Sequence, residues 1–91
     1  MTFVVKRKGK KEVFDEKKLY ASIFAACQEC GMENEKAEHV ADRIVHELES
    51  HLKDRQEVNS TEIFGFVIEK LARINEAVAF MYQTHRELIK A

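Results

Sequence analysis

A mostly α-helical fold is what this sequence predicts: a four-helix bundle capped by a small β-hairpin or three-stranded sheet. Three observations lead there. Four stretches repeat apolar residues at the spacing of one helix face. The 91 residues include no proline and only three glycines, so little interrupts a helix. The chain opens instead on a β-branched and aromatic run around a glycine, the pattern of a hairpin. A chain of this length fits one domain, residues 1–91, with a modest core and marginal stability.

The elements follow in order. Thr2 to Arg7 reads as a strand, Lys8-Gly9-Lys10-Lys11 as a turn whose glycine supplies positive φ, and Glu12-Val13-Phe14 as the returning strand. Asp15 is placed to cap a first helix, with Phe14 and Leu19 at the spacing of a hydrophobic staple. Gly31 is placed to end that helix. A second helix spans Asn34 to Lys53, with Ala37, Val40, Ala41, Ile44, Leu48 and Leu52 as its inner stripe. Glu57-Val58 is a short extended stretch. Asn59 or Ser60 caps a third helix, and Glu62 has the spacing of a capping box. Ile63, Phe64, Val67, Ile68 and Leu71 form its apolar face. The pattern breaks at Ile74-Asn75, and a fourth helix follows with Val78, Met81, Tyr82, His85 and Leu88 on its inner side. A hairpin alone is unstable, so it must cover one end or side of the bundle.

Charge is divided unevenly along the chain. Residues 1–18 hold seven Lys/Arg against three Asp/Glu, and the remainder eight against thirteen. A basic arm on an acidic body calls for an anionic partner. Lys17 and Lys18 fall in the first turn of a helix, the end where the macrodipole disfavours cations, and Lys6 and Arg7 arrive from the adjoining strand. Such a gathering suits a polyphosphate, which a helix N-terminus also favours; a solvated lysine-rich hairpin is the equal alternative on charge alone. No Walker loop and no recognisable catalytic base accompany these cations, so a binding module is expected and not an enzyme.

The remaining reactive residue types point less far. Cys27-x-x-Cys30 lacks the second ligand pair of a structural zinc site and the βαβ setting of a redox motif, so buried reduced thiols are expected. His39 and His46 fall on a polar helix face, and His51 near a helix end. His85 shares an inner stripe, as a core histidine or as part of a base pocket. A nucleic acid ranks below a nucleotide as partner, because aromatics are few and no stacking platform or recognition helix is evident. No apolar run is long enough to cross a bilayer and no secretory signal precedes the fold, which sets the expectation of a cytoplasmic protein without a membrane partner.

Val4-Val5-Lys6-Arg7-x-Gly9, Phe14-Asp15-x-x-Lys18-Leu19, Glu57-Val58-Asn59-Ser60-Thr61-Glu62-Ile63 and Val78-Ala79-Phe80-Met81-Tyr82-Gln83-Thr84-His85-Arg86 together resemble the ATP-cone family. These are regulatory domains of ribonucleotide reductases and of the transcriptional regulators of their genes. The resemblance runs over nearly the whole chain in the right order. It implies a four-helix bundle capped by a small sheet, with ATP or dATP bound between cap and bundle and Mg²⁺ on the triphosphate. It further implies Lys6, Arg7 and Lys18 at the phosphates and Val4 and Val5 along the pocket. Glu12 and Ser60 become polar contacts to the nucleotide, and Phe14, Leu19 and Phe64 walls for base or sugar. His85 stands where the family has an aromatic. The implied partners are a ribonucleotide reductase, a related regulator or further copies of the domain. The sequence departs from the family at Lys8, where Asp is common before the turn glycine. It contains neither the regulators' zinc ribbon nor a reductase catalytic domain, so a stand-alone cone and a segment of a longer protein are both open; the start at Met1 leans towards a natural N-terminus.

Overall fold

The computed structural model describes the backbone of residues 1–90 and the side chains of residues 1–85. Its elements are β1 (Phe3–Val5), β2 (Lys11–Val13), α1 (Glu16–Glu29), α2 (Asn34–Leu52), β3 (Glu57–Asn59), α3 (Ser60–Ile74) and α4 (Glu76–Lys90). The fold is the expected one, four helices with a small mixed sheet.

β1 is the middle strand. It pairs antiparallel with β2, Val4 opposite Glu12, and parallel with β3, Val4 opposite Val58. Alternation along the strands turns Val4 and Val58 inward, where both are buried in the helical core. Burying two valines contributes on the order of 1.5–3 kcal/mol each. The turn between β1 and β2 uses two left-handed residues, not the glycine alone: Lys8 at φ 68° and Gly9 at φ 75°. Lys6 N–H donates to the Lys10 carbonyl at 2.7 Å and closes the turn. Left-handed backbone costs a residue with a Cβ about 1–2 kcal/mol and is easiest for Asn and Asp. Lys8 therefore adds charge at the turn at a cost in strain.

Helix ends follow the sequence closely at three places. Asp15 accepts from the N–H groups of Lys17 and Lys18 at 3.0 and 3.3 Å. Gly31, at φ 79°, closes α1 in a Schellman motif: its N–H donates to Gln28 C=O and that of Met32 to Cys27 C=O. Asn75 joins α3 directly to α4. Its own N–H caps Leu71 C=O at the end of α3, while its side chain accepts from Ala77 and Val78 at the start of α4.

Two expectations need correction. No side chain caps α3: Asn59 makes no such bond, and the Glu62 carboxylate is taken by other partners. It receives both Arg55 guanidinium N–H groups, one at 3.0 Å, and lies 3.2 Å from His51 Nε2. A guanidinium fork outbids a single backbone N–H for a carboxylate. His51, near the end of α2, also lays its ring against Phe66, centroids 5.2 Å apart. The inner stripe of α4 is real through Tyr82, but His85 is exposed; Leu88 lies outside the described side chains. Cys27 is fully buried and Cys30 partly so, both as free thiols, and burial pushes the Cys27 thiol up.

Gly31→Ala is expected to lower stability by about 1 kcal/mol in chemical unfolding, because a Cβ there meets no neighbour and the cost is backbone strain alone. Arg55, then His51, hold the Glu62 carboxyl at about 2, below the ordinary 4.5. A carboxyl lowered by folding stabilises above its unfolded value and loses that contribution as pH falls towards its folded one. The melting temperature should thus decline between about pH 4.5 and 2, and Glu62→Gln should flatten part of that decline.

Candidate nucleotide-binding cleft

Pairing β1 on both edges sets the hairpin over the side of the bundle and leaves a cleft of about 750 Å³ between them. Its volume is in the range that holds a drug-sized or cofactor-sized molecule. The hairpin contributes Val4, Lys6, Arg7, Lys10 and Glu12. Phe14, Asp15, Lys18 and Leu19 come from the entry and first turns of α1. Ser60 and Ile63 belong to α3, and Tyr82 and His85 to α4. Residues from four separate sequence regions thus meet, including nine of the eleven expected from the sequence: Val4, Lys6, Arg7, Glu12, Phe14, Lys18, Leu19, Ser60 and His85.

Val5 and Phe64 do not line it. The pleat that turns Val4 inward turns Val5 to the opposite face of the sheet. Phe64 is one layer back, its ring 5.9 Å from that of Tyr82. Tyr82, 4% exposed, is the aromatic of α4 that reaches the cleft. Its place in the closing motif was the signal for it. Lys10 is a further cation that residue-by-residue resemblance passes over, and the signal was the turn, which returns it to the side of Lys6.

The lining of the cleft is of two kinds: the cations Lys6, Arg7, Lys10 and Lys18, and the apolar or aromatic Leu19, Ala26, Ile63 and Tyr82. Two carboxylates accompany the cations, and both are engaged. Asp15 caps α1 and takes the N–H groups of Lys17 and Lys18, so those two amides are already satisfied. Glu12 lies 2.9 Å from Lys6 Nζ. The hydrogen bond from Lys6, then its charge, lower the Glu12 carboxyl below its ordinary value. The Ser22 hydroxyl donates to Leu19 C=O at 2.8 Å. His85 Nε2 is 2.6 Å from Glu29 Oε2, a contact that bridges α4 and α1; of the two readings open for His85, the core position is not the one it takes, and it lines the cleft.

A second groove, between α1 and α2, is lined by Glu16, Tyr20, His39, Asp42, His46 and Glu49. A hydrogen bond with Glu16 raises the Glu49 carboxyl. Among the described residues no group of three or more His, Cys, Asp or Glu is arranged to hold a metal ion. None of the described helices is long and apolar enough to cross a membrane.

Comparison with known proteins places this cleft in a family context. The family model for the ATP cone domain matches residues 2–90, and the chain belongs to that family. Among curated proteins it is similar to the transcriptional repressor NrdR of a Synechococcus, 39% identical over 75 residues, covering 80% of this chain and 44% of that one. It is also similar to the NrdR of Trichodesmium erythraeum, at 38% over 73 residues, covering 80% and 41%. The NrdR of Thermosipho melanesiensis is 31% identical over 90 residues, covering 94% of this chain and 58% of its own. The chain spans roughly half the length of these relatives.

Proposed function

We propose that the cleft binds ATP or dATP and that occupancy changes how the protein associates with a partner. The observation behind this reading is that four cations and several apolar residues, Tyr82 among them, line one cleft of an ATP-cone chain. Lys6, Arg7 and Lys18, joined by Lys10, take the phosphates. Val4, Phe14, Leu19 and Tyr82 take the base and sugar, and Ser60 offers a hydroxyl. Val5 and Phe64 act from behind, as sheet face and as support for Tyr82. Mg²⁺ arrives on the triphosphate, where it neutralises charge.

A sensor must bind unequally to its ligands in different assembly states, since only differential affinity shifts an equilibrium. The relatives are named as transcriptional repressors, which supports a role in controlling ribonucleotide reductase activity or expression through nucleotide-dependent association. The same names remove the ground for ranking nucleic acid low, and the exposed Lys8, Lys10 and Lys11 at the hairpin turn support a second reading as an accessory nucleic-acid contact. Calorimetry with ATP, dATP and ADP tests the first. DNA binding that weakens steeply with salt tests the second.

Lys18→Ala should weaken ATP binding by about 1.5–3 kcal/mol through loss of a charge-assisted contact, with little change in melting temperature, because the side chain is exposed. Unaltered affinity in the folded variant would place the phosphates elsewhere. ATP incubated with the pure protein and Mg²⁺ should be recovered intact. Cations that grip ground state and transition state alike give binding without rate, and both carboxylates lining the cleft are engaged. Sustained ADP release that vanishes in Lys18→Ala would make this an enzyme.

A further inference from the structure

Cys27 and Cys30 are not among the residues that line the cleft. They stand three residues apart at the C-terminal end of α1, both as free thiols. Residues at that spacing share a helix face, with Cα atoms about 5 Å apart, inside the span that a disulfide bridges. The two differ in access. Cys27 is fully buried in the core, whereas Cys30 packs against that core and stays partly exposed. Cys30 is also the C-cap of α1, and with ψ at 7° its backbone has already left the helical conformation.

We infer that Cys27 and Cys30 form a reversible dithiol–disulfide site at the end of α1, with Cys30 as the entry thiol and Cys27 as the resolving one. The oxidant is a low-molecular-weight disulfide. The Cys30 sulfur, as thiolate, attacks one sulfur of that molecule; a mixed disulfide forms and one small thiolate leaves. The Cys27 thiol then gives its proton to solvent, and its sulfur attacks the Cys30 sulfur and expels the second small thiolate. Two protein thiols and one small disulfide become one protein disulfide and two small thiols. Burial above all, with Cys30 adding to it, pushes the Cys27 thiol up, so the second step is the slower one. The disulfide reaches beyond the two sulfurs, because Cys27 must leave part of its core packing to meet Cys30. The carbonyls of Ala26, Cys27 and Gln28 accept the N–H groups of Cys30, Gly31 and Met32 that close the helix. Glu29, between the cysteines, contacts His85 of α4. Drawing the turn together loosens the closing bonds and moves Glu29 against α4, which gives a redox state a path to the junction of α1 and α4. None of this depends on what the cleft binds.

The test is mass spectrometry of the full folded chain, incubated with excess oxidised glutathione and afterwards with dithiothreitol. Wild type should lose two hydrogens, form no disulfide-linked dimer and recover both thiols on reduction. C27A should stop at one stable glutathione adduct on Cys30. C30A should keep Cys27 as a free thiol, modified at least about tenfold more slowly than Cys30 in C27A. Hydrogen exchange at the Gly31 and Met32 amides should run about tenfold faster in oxidised wild type. Wild-type thiols that stay free overturn the inference, as does a glutathione adduct that persists on wild type or a disulfide between chains. Modification of Cys27 in C30A as fast as that of Cys30 in C27A refutes the entry role of Cys30. Unchanged exchange at Gly31 and Met32 refutes the path to the junction. Cys27→Ser replaces C27A if the alanine variant melts early.

Discussion

The cleft exists because β1 has a partner on each edge. Strands of three residues cannot sustain a hairpin in water. Here the parallel partner β3 ties the hairpin to the joint between α2 and α3, and the tie is extended at its start. Thr2 Oγ1 donates to Arg55 C=O at 2.9 Å and Phe3 N–H to Gln56 C=O at 2.8 Å. Arg55 is in turn locked to Glu62 on α3. Val4 and Val58 then bury side by side against the helices. Remove the parallel pairing and Lys6, Arg7 and Lys10 would hang on a loop with no fixed relation to Lys18 or to Tyr82.

The electrostatics of α1 shape what this frame can hold. Lys17 and Lys18 occupy the turn that favours anions, and Asp15 with Glu16 offset them locally. Because the cap uses an internal carboxylate, charge recognition is left to long, solvated side chains instead of a rigid backbone cradle.

Much of this was legible in the sequence, and the losses have definite causes. Asp15 and Gly31 each act through their own neighbours, so local spacing was enough to find them; at Asn75 the sequence showed a break in the pattern, and its double capping role came from the structure. The cap expected from Glu62 failed because Arg55, seven residues earlier, competes for the same carboxylate across a loop, and no local rule sees that competitor. Val5 was grouped with Val4 as a pocket residue, yet a strand cannot turn adjacent side chains to one face. His85 kept the helical spacing of the core stripe but lies where α1 is ending, beside Glu29, so it reaches a carboxylate at the rim instead of the interior. The cleft itself could be outlined only through family resemblance, because its residues are scattered from Val4 to His85 and nothing in their spacing brings them together.

Asn75 has one further consequence. Because a single residue ends α3 and begins α4, there is no slack in the connection to absorb a change of length. Each residue added there would turn the whole of α4 by about 100° about its own axis, swinging Tyr82 out of the cleft and presenting the exposed Phe80 side to the core. The number of residues between Leu71 and Val78 thus acts as a ruler that sets which face of α4 meets the core.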